Sequence, residues 1–122
     1  MAKTKVFASY DYEHDSGMLG NLIAQSKRPD FQFSINNLSL KGKMSDWQQQ
    51  ARKAIEECDV FIVLLRENTH QASGVQREVK MAREMNRRRF QLREKGHNPK
   101  PFEDCGEVVA WTKKNLQKYL SK

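Results

Sequence analysis

The chain has 122 residues, 38% of them hydrophobic and 30% charged, with a net charge of +7. That length suits one domain spanning 1–122 with a real core; recurrent aromatic and apolar segments argue against disorder, and no apolar run approaches the length of a membrane span. The amino terminus has no apolar signal core, Cys58 and Cys105 lack metal-ligand spacing, and His14, His70 and His97 are scattered, so a cytoplasmic protein without a metal site is expected, with reduced thiols rather than the alternative disulfide.

Lys5–Tyr10 is predicted as the first strand, since Val6, Phe7 and Tyr10 suit a pleated surface. A polar, acidic stretch from Asp11 to Asp15 follows. Ser16 is suited to cap a helix that carries Leu19, Leu22 and Ile23 and ends near Ser26. Arg28-Pro29-Asp30 makes a turn. Phe31–Ile35 alternates apolar and polar residues in the manner of an edge strand, and Asn36-Asn37 ends it. The next helix, capped by Ser45 or Asp46, carries Trp47, Ala51, Ala54, Ile55 and Cys58 on one stripe. Asp59–Leu65 is apolar at every position after its first, which suits a central parallel strand covered on both faces. A polar loop runs from Arg66 to Ala72. Ser73 and Gln76 then fit a capping box, opening a helix over Val75, Val79, Ala82 and Met85 that ends near Asn86. Arg89–Leu92 is a short strand with a weak pattern. Gly96–Gly106, containing Pro99 and Pro101, is a loop. Val108, Trp111, Thr112, Asn115, Leu116 and Tyr119 recur at helical spacing, which predicts a final helix over Val108–Leu120.

Strands alternate with helices throughout, so the expected class is α/β: a three-layer domain with a parallel sheet of four to five strands in the order 2-1-3-4 and helices on both faces. Ligands of such sheets bind beyond the carboxyl ends of the strands, where the order reverses. That rim collects Ser9-Tyr10-Asp11, Asn36-Asn37, the loop from Arg66 to Ser73 and the first turns of the helix that follows. Glu78 lies on the inward stripe of that helix, between Val75, Val79 and Ala82. A carboxylate there is costly if buried without a partner. Two arrangements relieve the cost: an opening into a ligand cleft, or a pairing at the helix edge with Arg77 or Lys80.

The other rim residues each have two readings. Ser9 and Tyr10 either contact a ligand or, for Tyr10, pack beneath the rim. Asp11 bonds a ligand or caps its loop. Asn36 and Asn37 line the site or form a turn. Trp47 and Trp111 read as core, His70 as a solvated loop residue. A phosphoacceptor aspartate belongs at the end of the third strand, whereas Asp59 opens it, and no Gly-rich phosphate loop is present. Cys58 reads as a small buried apolar residue rather than a nucleophile. The charge is uneven: residues 1–76 hold nine Lys/Arg and nine Asp/Glu, and residues 77–122 hold thirteen and six. The densest point is Arg87-Arg88-Arg89, which either attracts phosphate groups or forms a solvated face.

Several segments in order carry a family resemblance. Lys5-Val6-Phe7-Ala8-Ser9-Tyr10-Asp11 resembles the first-strand signature of TIR domains, V-F-I-S-Y-x-x-x-D, with Asp15 as the trailing acid. Cys58–Leu65 resembles their third strand, and Thr69–Glu78 the loop and helix start that carry the functional glutamate. Phe90-Gln91-Leu92 and Gly106–Leu116 are similar to the compact TIR-like family that includes the Thoeris anti-phage proteins. The resemblance covers nearly the whole chain. It implies a flavodoxin-like fold and, in catalytic members, cleavage of NAD at the nicotinamide–ribose bond to ADP-ribose or a cyclic ADP-ribose signal. NAD is then substrate, and no cofactor is implied. Glu78 matches the family's catalytic glutamate, with Ser9, Tyr10, Asp11, Asn36, Asn37 and Ser73 as candidate NAD contacts. The resemblance also implies self-association through TIR–TIR contacts and an effector that senses the product. The alternative is a non-catalytic interaction module. Nucleic-acid binding ranks third, because no aromatic residues interleave the basic face.

Overall fold

The computed structural model describes residues 4–11, 16–29, 31, 33–35, 44–67, 69–94, 96 and 98–120; of 16, 18, 19 and 44–48 the backbone alone is described. In chain order the elements are β1 (Thr4–Ser9), α1 (Ser16–Ser26), β2 (Phe33–Ile35), α2 (Met44–Glu57), β3 (Val60–Leu65), α3 (Ser73–Glu84), β4 (Arg89–Arg93), β5 (Val108–Ala110) and α4 (Lys113–Leu120), with a short 3-10 turn at Thr69–Gln71 between β3 and α3. The strands form one sheet in the order β2-β1-β3-β4-β5, and every pairing is parallel.

Strand alternation sorts the side chains into two cores. Val6, Ala8 and Tyr10 of the first strand region, with Val60, Ile62 and Leu64 of β3, face α1 and α4 through Leu22, Leu116 and Leu120. Phe7, Phe61, Val63 and Leu65 face α2 and α3 through Ala51, Ile55, Val75, Val79 and Ala82. β3 is buried at all six positions because helices cover both of its faces. Phe7 and Phe61, adjacent in the register, stack with centroids 5.6 Å apart.

The carboxyl-terminal part departs from the helix predicted over Val108–Leu120. Val108–Ala110 is instead a fifth strand, pairing Gln91↔Val108 and Arg93↔Ala110. The helix begins only at Lys113, where Thr112 Oγ1 accepts the Asn115 N–H at 3.1 Å as its cap. Helical spacing was satisfied by accident: Val108 stands 38% exposed on an edge strand, and Trp111 donates its indole N–H to Gln25 of α1 at 2.7 Å. A second difference lies at the start of α3. Its N-cap is Ala72, with no side-chain cap bond. Ser73 is already inside the helix, and Gln76 donates instead to the His70 carbonyl at 2.8 Å. The predicted capping box therefore does not form. The other end of α3 is a Schellman turn: Asn86, at φ +52°, donates its N–H to Arg83 O and Arg87 N–H reaches Ala82 O. Asn takes the left-handed position that Gly usually holds.

The arginine run that follows is spent on the fold. Arg87 donates to the carbonyls of Glu56 and Cys58, just where α2 ends, and Arg88 to that of Tyr119 in the last turn of α4. Cations satisfy orphan carbonyls at helix carboxyl termini and oppose the negative dipole end there. Arg89 holds Asp104 through its carbonyl and its carboxylate. The loop it grips is also tied to buried Gln91, whose amide group donates to Phe102 O and Gly106 O and accepts the Phe102 N–H. Gly106 makes this approach possible at φ +78°, where a Cβ would lie 2.1 Å from Arg89 O. Cys58 and Cys105 are free, buried thiols. No helix among the described residues is long and apolar enough to cross a membrane.

Candidate active site

β1 lies between β2 and β3, so the strand order reverses beside it, the point at which ligands of such sheets bind. Ser9 is the last residue of β1. Alternation turns its side chain away from Ala8 and Tyr10 and toward the α2/α3 face. Glu78 faces it from α3, one turn after Val75 and one residue before Val79, both fully buried. The Ser9 hydroxyl donates to Glu78 Oε1 at 2.5 Å, linking residues 69 apart in sequence. Ser9 is 0% and Glu78 3% exposed. A hydrogen bond of this length fixes the rotamer of the acid. Glu78 is thus held inside the protein at the end of the central strands, while its helix neighbours Arg77 and Lys80 are exposed.

The other candidates separate. Asp11 is buried beyond Ser9. Tyr10 points to the opposite face and packs with Leu22 and Phe31 in the α1/α4 core, so it does not share the Glu78 face. Ser73 is exposed in the first turn of α3 and does not join the Ser9–Glu78 pair. Asn36 and Asn37 lie outside the described residues, as does the side chain of Trp47. His70 is not a solvated loop residue: it is half-buried in the 3-10 turn, with Nδ1 buried and without a hydrogen-bond partner among the described residues. Among the described residues no cluster of His, Cys, Asp and Glu has the makings of a metal site. A groove of about 260 Å³ lined by Lys5, Ser34, Ile35, Ala54, Glu57 and Cys58 lies toward the amino-terminal ends of β1 and β3, away from Glu78.

Sequence reasoning missed one arrangement on the rim. Arg66, just past β3, forms an ion pair with Glu94, just past β4. The register Leu65↔Arg93 brings them opposite each other one step beyond the ladder. The Arg66 backbone is clasped by Thr69, fully buried, whose Oγ1 accepts the Arg66 N–H at 2.6 Å and donates to Leu64 O at 3.4 Å. A cross-strand pair depends on register, which no local spacing encodes. Arg66 carried only the signal of a charged residue directly after an apolar strand.

Comparison with known proteins adds three findings. The model of the Thoeris protein ThsB, TIR-like domain, matches residues 7–98. No curated protein matches the chain in sequence. Among solved structures, the Clostridium botulinum CMP N-glycosidase BcmB superposes with a TM-score of 0.63 at 19% identity, over 94% of this chain and 96% of that one. At that identity the likeness concerns the fold.

Proposed function

The chain belongs to the Thoeris ThsB TIR-like domain family, and from that premise we propose that it cleaves the N-glycosidic bond of a nucleotide. The substrate we assign is NAD, cut between nicotinamide and ribose, with Glu78 as the catalytic carboxylate. The observation that carries this reading is the buried Glu78, locked by Ser9 at 2.5 Å at the carboxyl end of the central strands. The fold shared with a CMP N-glycosidase supports the reaction class.

The chemistry follows from the charge changes. As the ribose C1′–N bond breaks, its electron pair leaves with nicotinamide, which departs neutral, and positive charge develops across C1′ and the ring oxygen. A fixed carboxylate beside that carbon stabilises the oxocarbenium-like state, as in glycoside hydrolysis. In a site shielded from water such stabilisation amounts to about 3–4 kcal/mol. Water adding at C1′ gives ADP-ribose and releases a proton; attack by a nitrogen of the adenine base gives a cyclic ADP-ribose. Ser9 is a positioning residue, since it bonds the acid and holds its rotamer. Asp11, Asn36, Asn37, Tyr10 and Ser73 remain proposed contacts to the substrate. In this reading the domain works in the cytoplasm in anti-phage defence, associates with copies of itself through TIR–TIR contacts, and signals to an effector that senses the product.

The test is incubation of the purified protein with NAD, and in parallel with CMP, while free base is measured, for wild type and Glu78→Gln. Nicotinamide release that is lost in the variant is the expected result. Full activity in Glu78→Gln removes the acid from its role. Release from CMP alone moves the substrate to a nucleoside monophosphate. Concentration-dependent association without NAD binding or turnover replaces the enzyme with an interaction module.

A further inference from the structure

Arg66 and Glu94 occupy the rim that holds Ser9 and Glu78. Ser9 stands level with Val63 in the register, and Arg66 follows Val63 by three residues. At about 3.3 Å per residue its backbone lies roughly 10 Å farther along, one strand over. Along β3, Ile62 and Leu64 face α1/α4 while Val63 and Leu65 face α2/α3. Continued alternation puts Arg66 on the α1/α4 side of the strand end, across the rim from Glu78. A nucleotide laid over the end of β3 with its reacting ribose carbon at Glu78 would bring its 5′-phosphate, several bonds away, toward the Arg66 side.

Thr69 holds the Arg66 backbone, so the root of the side chain is rigid. The ion pair itself is open to water, with side chains 37% and 35% exposed. Exposed ion pairs of this kind hold weakly. A guanidinium presents a planar fork that fits phosphate, and the whole pyrophosphate of a dinucleotide or a terminal monophosphate carries more charge than the one carboxylate it displaces. Arg87, Arg88 and Arg89, by contrast, are engaged with main-chain carbonyls at helix and loop ends.

We propose that Arg66 is the phosphate-reading residue of this site and that Glu94 holds its guanidinium in place until a nucleotide phosphate displaces it. The substrate class is then a nucleotide phosphorylated on the reacting ribose, whether a dinucleotide or a nucleoside 5′-monophosphate, and not a free nucleoside. This inference rests on the glycosidase reading of the Glu78 site.

The experiment measures binding, so that turnover is not needed. In the Glu78→Gln background, NAD and nicotinamide riboside are titrated by calorimetry, with CMP and cytidine as a second pair. Arg66→Gln is expected to lower the ratio of nucleotide to nucleoside affinity by about tenfold to a hundredfold, the range of a charge-assisted phosphate contact. Glu94→Gln is expected to raise it a few-fold, because the competing carboxylate is gone. The opposite signs matter, since loss of a merely structural pair weakens every ligand in both variants. A ratio unchanged in Arg66→Gln, or lowered equally in both, overturns the inference and leaves the glycosidase reading standing. Absence of nucleotide binding in the Glu78→Gln parent overturns both. The NAD and CMP arms identify which phosphorylated ribose the site prefers.

Discussion

Glu78 was legible as an anomaly because an acid broke the apolar stripe of its helix. Its partner was not legible. Ser9 and Glu78 meet only after β1 and β3 pair and α3 packs on them. The contact makes a separable prediction: Ser9→Ala keeps the acid but frees its rotamer, so kcat for NAD cleavage falls about tenfold to a hundredfold, the equivalent of about 1.4–2.8 kcal/mol, while Glu78→Gln removes the charge and falls further. Steady-state kinetics of the two variants checks the order. The cysteines give a pH prediction. Burial pushes both thiols up from 9.0 to about 11, outweighing Arg87 beside Cys58 and Arg89 beside Cys105. The fold thus favours the protonated thiols. Their contribution to stability is complete below pH 9.0 and is lost as the pH climbs through about 11. Denaturant melts across that window are expected to show stability falling with pH, less steeply in a Cys58→Ala, Cys105→Ala double variant.

At the scale of elements, the arginine run does more than charge the surface. Three adjacent arginines read as a phosphate patch or a solvated face; in the fold two of them cap the ends of α2 and α4 and the third grips the loop before β5. Arg87→Gln and Arg88→Gln are each expected to cost about 0.5–1.5 kcal/mol, seen as a lower Tm, by uncovering helix carbonyls. Gly106 is the stricter constraint. At φ +78° with a carbonyl where a Cβ would sit, Gly106→Ala forces loop and strand apart. A loss of about 2–3 kcal/mol is expected in chemical denaturation. β5 itself escaped notice because three residues are too short for a period-2 signal, and Val108 with Trp111 mimics a helical step.

At the scale of the whole molecule, the sheet order β2-β1-β3-β4-β5 extends the expected 2-1-3-4 by one edge strand and keeps the reversal of strand order beside β1. The carboxyl-terminal charge surplus remains, but its densest part is engaged in the fold. Affinity for duplex DNA is accordingly expected to stay weak and sequence-independent at about 0.15 M salt, which a titration against ionic strength measures. If the proposed site is completed between copies, NAD cleavage per molecule rises with protein concentration. Turnover measured alongside mass in solution tests this.

Much of the architecture could be read along the chain because its signals are local and repetitive: the apolar run of β3, the stripes of α2 and α3, and the alternation that makes a parallel sheet. These act over a few residues, and water imposes them wherever the chain folds. The bond from Ser9 to Glu78, the Arg66–Glu94 pair and the carbonyls under Arg87 and Arg88 belong to another class. Each joins positions distant in sequence, and each exists only once register and packing bring the partners within a few ångströms, so folding in three dimensions alone set them.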